Sequence, residues 1–345
     1  MIKYKLEYVP CNLCGKIQFE TAAYFKSSDL KRINKTLIKK GVRAIGSIDG
    51  KFKIVRCKKC DLYWINPRLS KKDLARFYNG FYLKKFEGEN ISFEESVYGN
   101  LNIDQEKGRL KEIKRFKKKG FLLDIGAGPG HFLKIAKDDG FKVWGYELSQ
   151  AAIKIARDTF KVNIASGEID KLAVKNNFFD VITLHSTLEH TPNPAKYINI
   201  AYQKLKDDGL LVFNVPNYRS ITYYLVKLLN LPNPGLIFEH LYYFTPSSVT
   251  TLLKDKFDIL EITSFHHSRP KFSQLEQTKK PKTQSRLSIF FSELSKANNK
   301  TIYIKNRLLF FQIRLLKEFL EYNSSGGKLR LGDVIYVFAQ KKSPK

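Results

Sequence analysis

Residues 121–147, FLLDIGAGPGHFLKIAKDDGFKVWGYE, decide the fold. The apolar run from Phe121 to Ile125 carries Asp124 near its end, and glycines follow at alternate positions, Gly126, Gly128 and Gly130. Next comes a helical pattern in which Phe132, Leu133, Ile135 and Ala136 share one face while Lys134 and Lys137 turn outward. A second apolar run, Val143 to Tyr146, closes on Glu147. The order is strand, glycine loop, helix, strand, acid. Glycines let a backbone bend sharply and approach a ligand closely. An acid at the end of the second strand stands where a ribose diol is held in nucleotide-binding sheets. The stretch therefore predicts a nucleotide-type cofactor site, against the plainer alternative of a simple strand–helix turn.

Outward from this stretch, residues 121–265 alternate between strand and helix patterns. Strands are predicted near 121–125, 142–147, 161–164, 180–184, 209–215 and 257–265, and helices near 131–139, 149–159, 194–205, 220–229 and 246–255. A further strong strand runs from Asp333 to Gln340. Such alternation predicts an α/β, doubly wound parallel sheet. Ligands of these sheets bind beyond the carboxyl ends of the strands. The residues placed there are Asp124 to Gly130 (Ala127 included), Glu147-Leu148, Gly167-Glu168-Ile169, His185 to His190 and Pro216-Asn217.

Upstream, all four cysteines fall in two CxxC knuckles, Cys11–Cys14 and Cys57–Cys60. Thiolates at that spacing wrap a soft cation from a tight turn, and Zn²⁺ takes four of them tetrahedrally. The set predicts a structural zinc site with no open coordination position, in preference to free thiols or redox pairs. The long spacer between the knuckles includes a lysine-rich helical stretch, Asp29 to Lys40.

The remaining segments are less regular. Asn66-Pro67-Arg68 breaks a strand, and Ser70 with Asp73 caps a helix expected over Lys71 to Asn79. A second helix is expected over Gln105 to Lys119, and Tyr78 and Tyr82 are candidate lid residues. Between His266 and Arg286 the chain is polar. Farther on, Leu308, Leu309, Ile313, Leu315, Leu316, Phe319 and Leu320 form an apolar face that ends at Ser324-Ser325-Gly326-Gly327. That helix, 305–320, either packs on its own domain or lies on an anionic membrane surface or partner. Four segments follow: 1–70, a zinc-binding domain; 71–120, a helical lead-in or lid; 121–265 with 333–340, the cofactor-binding domain; and 266–332, a basic helical insert.

Composition narrows the function classes. With 345 residues, 43% of them hydrophobic, the chain can bury a sizeable core and is not of disordered composition. Its start, MIKYKLEYVPC, lacks the apolar core of a signal peptide, and no run approaches a membrane span, so a cytoplasmic protein, at most peripheral at the membrane, is expected. The formal net charge is +28. It suits a polyanionic partner such as nucleic acid or anionic lipid, yet the basic residues are mostly lysine and scattered, which a lysine-rich bias also produces.

Glycine spacing separates the cofactors. Dinucleotide sites use G-x-G-x-x-G, whereas Gly126, Gly128 and Gly130 follow each other at every second position. With Asp124, LDIGAGPGHF resembles motif I of the class I S-adenosylmethionine-dependent methyltransferases. VWGYELS, FFDVITLHSTLEHTPNP and LKDDGLLVFNVPN are similar to that family's second, fourth and fifth strands. EHLYYFTPSSVTTLLK resembles a segment of the subgroup that includes sugar C-methyltransferases, and RCKKCDLYWINPR resembles the zinc-binding domain that often precedes it. The resemblance covers 1–70, 121–265 and the last strand.

What the resemblance implies is a Rossmann-like seven-stranded methyltransferase sheet behind a small zinc-ribbon-like domain, with a helical insert before the last strand. The donor's methionine part is expected over Gly126 to Gly130 with its ammonium near Asp124, its ribose on Glu147, and Leu148, Gly167, Glu168, Ile169 and His185 around it. Glu168 stands where the family often carries Asp, so Ile169 is expected to act through its backbone N–H. Methyl transfer asks for alignment and, for a protonated acceptor, a base. His190 and the Glu239-His240 pair are the candidates, since a histidine beside a carboxylate is a competent base near neutral pH. The acceptor expected is a small molecule, sugar, glycan precursor or lipid-linked compound. The alternatives are RNA methylation and a non-catalytic donor-binding protein at a membrane or partner. The loop after the fourth strand, HSTLEH, lacks the Asn/Asp-Pro-Pro-aromatic pattern of enzymes that methylate exocyclic base nitrogens, which counts against the first alternative.

Overall fold

A computed structural model describes residues 5–24, 52–70, 72–74, 103–167, 169–228, 240–265 and 332–343. The expected helix over Asp29 to Lys40, Tyr78 and Tyr82, Glu168, Glu239 and the helical insert up to residue 331 lie outside the described residues.

The N-terminal part contributes β1 (Leu6–Glu7), β2 (Phe19–Tyr24), β3 (Lys53–Cys57), β4 (Tyr63–Ile65) and β5 (Arg68–Leu69). The remainder runs α1 (Ile103–Lys114), β6 (Phe121–Ile125), α2 (His131–Asp138), β7 (Lys142–Tyr146), α3 (Gln150–Asp158), β8 (Ile164–Ala165), β9 (Phe179–His185), α4 (Pro194–Lys204), β10 (Leu205–Pro216) and α5 (Ile221–Leu228). It closes with β11 (Tyr242–Tyr243), α6 (Pro246–Leu253), β12 (Phe257–Phe265) and β13 (Val334–Lys341). Short 3₁₀ turns occupy Ile169–Lys171 and Leu188–His190.

Seven strands form the large sheet in the order β12-β13-β10-β9-β6-β7-β8. The pairs β6–β7, β7–β8, β6–β9 and β9–β10 are parallel, and β13 runs antiparallel to both neighbours. This is the doubly wound sheet the sequence predicts. Its strands are apolar on both faces because both are covered. Leu122, Val181 and Val212 face the core under α1, α2 and α3. Their neighbours Leu123, Ile182 and Phe213 face the opposite core, with α4, α6 and the small sheet. That alternation is the period-two pleat of a strand.

The chain leaves β6 in one direction for β7 and β8, then returns to β9 on the other side of β6. Strand order therefore reverses between β6 and β9, the place where open α/β sheets form their ligand crevice. Asp124 pairs in register with Thr183 there.

A four-stranded sheet, β11-β4-β3-β2, lies over the second core. Its edge strand β11 comes from the segment 240–245, far along the chain, and pairs Tyr242 with Trp64 and Tyr243 with Tyr63. Residues 5–24 and 52–70 thus share a sheet and a core with the segment 240–245. The reason is local: Trp64, Tyr242, Tyr243 and Phe244 are all at most 1% exposed, so neither segment can bury these rings without the other.

Two boundaries shift from expectation. The strand expected at 161–164 is Ile164–Ala165, because Lys161 adopts φ 54 and Val162 N–H returns to the Ala156 carbonyl, finishing α3 before extension begins. The helix expected to reach Lys119 ends at Lys114. Ser70 behaves as expected, accepting from Asp73 N–H at 3.3 Å and donating to Asp73 Oδ2 at 3.1 Å. Among the described residues no helix is long and apolar enough to cross a membrane.

Candidate functional site

The strand ends at the β6/β9 reversal build one half of the site. Asp124 is 3% exposed and accepts from Thr183 Oγ1 at 2.6 Å. Burial pushes its carboxyl up to about 7, while the Thr183 hydrogen bond works in the opposite direction. After β6 the N–H groups of Gly126 and Ala127 both donate to the Tyr146 carbonyl, at 2.8 and 3.1 Å, tying the glycine loop to the end of β7. Gly126 has φ 79, and a Cβ placed on it would lie 2.3 Å from Thr187 Oγ1. At Gly128, φ 53, a Cβ would meet nothing within 4 Å, so this side of the loop is open. Gly130, φ 88, starts α2.

Glu147 fixes the next corner. Its Oε2 accepts from Gly128 N–H at 2.9 Å, and its Oε1 accepts from Leu148 N–H at 2.7 Å and Ser149 N–H at 3.0 Å. A carboxylate held by three backbone donors keeps one geometry. Leu148 is 57% exposed beside it, an apolar surface at the strand end. The Tyr146 hydroxyl donates to the Gly167 carbonyl and draws the following turn toward β7, with Ile169 buried beneath.

His185 ends β9 on the side covered by α2. Its Nδ1 lies 3.3 Å from Asn214 Oδ1 and 3.1 Å from the Tyr336 hydroxyl, and its ring meets Phe132 edge to face. Burial, aided by the positive charge of Arg109, holds the imidazole well below its usual value, so it is neutral. His185 is thus packed under the glycine loop's helix, a supporting position for the loop.

The other half of the site follows β9. The 3₁₀ turn Leu188–His190 turns Glu189 inward, with its side chain 3% exposed. Burial pushes this carboxyl up to about 8. His190 Nε2 lies 3.9 Å from Glu189 Oε1, and the His190 and His240 rings stand 4.8 Å apart. One ligand atom from each of Glu189, His190 and His240 lies within 4.8 Å of the others. The backbone joins the two segments where Leu241 N–H donates to the Glu189 carbonyl at 2.8 Å. Among the described residues the carboxylate brought to His240 is therefore Glu189. The sequence pairs His240 with Glu239, which lies outside the described residues.

The cysteines come together from both knuckles. Cys11 Sγ is 3.3 Å from Cys60 Sγ, Cys14 Sγ is 3.5 Å from Cys57 Sγ, and Cys60 to Cys14 is 3.9 Å. All four are free thiols. A zinc ion with sulfur at about 2.3 Å in a tetrahedron sets sulfurs roughly 3.8 Å apart, so the four side chains fit the ion. Asn66 locks the module by accepting from Val9 N–H at 3.0 Å and donating to the Val9 carbonyl at 3.3 Å.

This module also grips the site. Buried Arg68 donates to the Pro192 carbonyl at 3.2 Å and the Tyr242 hydroxyl at 3.0 Å, and Tyr242 donates to Pro192 O at 3.1 Å. Ile65 N–H donates to the Leu241 carbonyl at 3.1 Å, and Asn12 Oδ1 accepts from Ala195 N–H at 3.0 Å. Both the loop carrying Glu189-His190 and the segment carrying His240 are therefore pinned by Asn12, Ile65 and Arg68. The sequence did not single out Thr183, Arg68 or Tyr242 for the site. Their partners are remote in the chain, and the one available hint was Glu189 standing directly before His190.

Residues 104–256 match the family model described as a methyltransferase domain. A ubiquinone biosynthesis O-methyltransferase from Thiobacillus denitrificans is 30% identical over 123 residues, covering 31% of this chain and 53% of that protein. One from Coxiella burnetii is 27% identical over 157 residues, 42% of this chain and 67% of that one. The matched stretch thus spans about half of the first relative and two thirds of the second. A crystal structure of a SAM-dependent methyltransferase from Archaeoglobus fulgidus is similar with a TM-score of 0.44 and 21% identity, covering 72% of this chain and 98% of that one.

Proposed function

We propose, from the match of residues 104–256 to a methyltransferase domain, that the protein is a class I S-adenosylmethionine-dependent methyltransferase and transfers a methyl group from S-adenosylmethionine to a small-molecule acceptor. The acceptor class is a sugar, glycan precursor or lipid-linked compound. One observation carries this reading: the glycine loop leaves β6 and the Glu189-His190 turn leaves the neighbouring β9 at the sheet's reversal point, with His240 brought to that turn and Gly126 packed against Thr187.

The two halves divide the work. Bound S-adenosylmethionine supplies an electrophilic methyl group on a cationic sulfonium. Asp124 is the anionic partner for the donor's positive charges, and Glu147 that for the ribose hydroxyls. The open side of Gly128 gives close backbone approach. Leu148 covers the base, Ile169 offers it a backbone N–H, and His185 supports the loop from below. On the acceptor side, Glu189, His190 and His240 orient the attacking group and dispose of its proton. Cys11, Cys14, Cys57 and Cys60 hold a structural zinc ion. The relatives are O-methyltransferases by name, which favours oxygen as the accepting atom, while EHLYYF favours a sugar.

Labelled methyl transfer from S-adenosylmethionine into fractionated host extract tests the reading. Label in a small-molecule or lipid fraction supports it, and absence of donor binding in calorimetry refutes it. The net charge of +28 favours a second reading, RNA methylation; label in RNA, with binding that weakens steeply as salt rises, would select it.

A further inference from the structure

Glu189 presents an unusual combination. Its side chain is 3% exposed, and its Oε2 is buried with no hydrogen-bond partner among the described residues. Taking a carboxylate out of water without a donor or counter-charge is costly. Yet no arginine or lysine is placed against it in any described ion pair. The groups that approach are imidazoles, His190 from the same 3₁₀ turn and His240 from the distant segment ahead of β11. The rings meet at 72°, edge to face and not stacked. One carboxylate and two imidazoles, each offering one atom within 4.8 Å of the others, are the donor set that borderline divalent cations take. Three protein ligands leave coordination positions open, as catalytic rather than structural sites do.

We propose that Glu189, His190 and His240 form a divalent-cation site, separate from the four-cysteine site, whose open positions face the acceptor and take its hydroxyl oxygen. The second half of this proposal rests on the methyl-transfer reading above. The location supports it: Glu189 is two residues beyond Thr187, which packs on Gly126 of the donor loop. The scaffold supports it too. The Leu241 N–H to Glu189 O bond and the Ile65 N–H to Leu241 O bond hold the two ligand-bearing segments at fixed separation, as a site built on more than one segment requires. A cation at this point makes an acceptor hydroxyl more acidic. Its proton leaves to water, the oxygen lone pair forms the new O–C bond, and the electrons of the S–C bond return to sulfur as a neutral thioether. With the cation bound, the imidazoles are ligands in place of the proton-accepting role given them above, and the acceptor is an alcohol or phenol.

Mn²⁺ is the appropriate probe, because four thiolates select zinc while a carboxylate and imidazoles accept manganese. The full-length protein, with its zinc retained, is titrated with Mn²⁺ by calorimetry and by electron paramagnetic resonance, with neither donor nor acceptor present. Saturable binding of one Mn²⁺ per chain, weakened by more than roughly tenfold in Glu189→Gln and in His240→Ala, is expected. Circular dichroism of both variants establishes that they fold. As a second measurement on unaltered protein, Mn²⁺ should broaden the ring-proton resonances of His190 and His240. No saturable binding, or binding unchanged in the variants with no broadening, overturns the site. The titration is independent of methyl transfer, so a protein that binds Mn²⁺ but not S-adenosylmethionine would refute the enzymatic reading and keep the site. Conversely, full turnover after removal of the weakly held cation, with zinc still bound, would overturn the acceptor half.

Discussion

The imidazole rings of His190 and His240 stand edge to face with centroids 4.8 Å apart, although they come from opposite ends of a segment containing α4, β10 and α5. Neither ring reaches that position through its own local structure. His190 is set by a 3₁₀ turn after β9, and His240 by the strand that completes the small sheet. If this pair serves the acceptor, His240→Ala should lower turnover on the order of 10²-fold or more and leave donor affinity within about twofold, because the glycine loop is untouched. Kinetics with labelled donor, together with donor calorimetry, measures both. Near-normal turnover would sink the assignment.

Asp124 makes donor binding pH-dependent. Its carboxyl titrates at about 7 instead of 3.8, chiefly through burial, in the presence of Glu106 and Arg109 from α1 and of Glu147. A cationic ligand favours the carboxylate form. Donor affinity should therefore rise as pH increases from about 5.5 to 7.5 and then level off, with proton release on binding near pH 6. In the free protein the sign is opposite: a raised native pKa gives stability that is present below 3.8 and is lost as pH rises through about 7. Calorimetry in buffers of different ionisation enthalpy reads the released proton. Asp124→Asn should bind donor more weakly and lose the pH dependence; a pH-independent affinity in the unaltered protein contradicts the placement.

Gly126 tests the contact between the two halves. Alanine there would carry its Cβ 2.3 Å from Thr187 Oγ1 on a backbone at φ 79. The loop must shift, at a cost of about 1–3 kcal/mol, and donor affinity should fall. Adding Thr187→Ala removes the clash but not the backbone strain, so the double variant should recover part of the affinity. A Gly126→Ala protein with unaltered donor binding would show that the loop does not contact the donor.

The cysteine site predicts a metal count. One tightly held zinc per chain should be found in protein purified without added metal, and its thiols should resist alkylation until a strong chelator is added. Four thiols that react freely in metal-free native protein would refute the site.

The large sheet was legible because its signals are local. β6, the glycine turn and α2 lie within twenty residues, and Phe121 to Ile125 reads as a buried strand without reference to any neighbour. The four cysteines were legible for a related reason, since each knuckle is a local motif and soft-ligand chemistry joins the two. What could not be read were contacts whose cause is tertiary. Tyr242 and Tyr243 look like part of the segment leading into α6, and nothing in LYYF indicates that they complete a sheet begun near residue 19. Glu189 stands, from sequence, beside His190 at the ligand end of the sheet, but nothing in HSTLEH shows that its side chain is buried next to His240. The adjacent Glu239 was the natural partner for His240 because sequence proximity is all that a sequence displays.

Arg68 provides the test of whether the cysteine module matters to chemistry or only to folding. It bonds the Pro192 carbonyl, the Tyr242 hydroxyl and Glu7 Oε1, and so joins the module to both segments bearing histidines. Arg68→Met keeps the stem's packing and removes the fork of donors. Tyr242 still donates to Pro192 O and Glu7 is partly exposed, so the stability loss should be moderate, about 1–3 kcal/mol. If the module positions His190 and His240, turnover should fall more than tenfold while donor affinity is preserved, and Arg68→Lys, which restores a charge without the fork, should rescue only part. A variant destabilised by that amount with unchanged turnover would confine the module to a supporting role. The separation of the two outcomes depends on measuring kcat and donor affinity at a temperature well below unfolding, where a loss of stability alone leaves the folded fraction near unity.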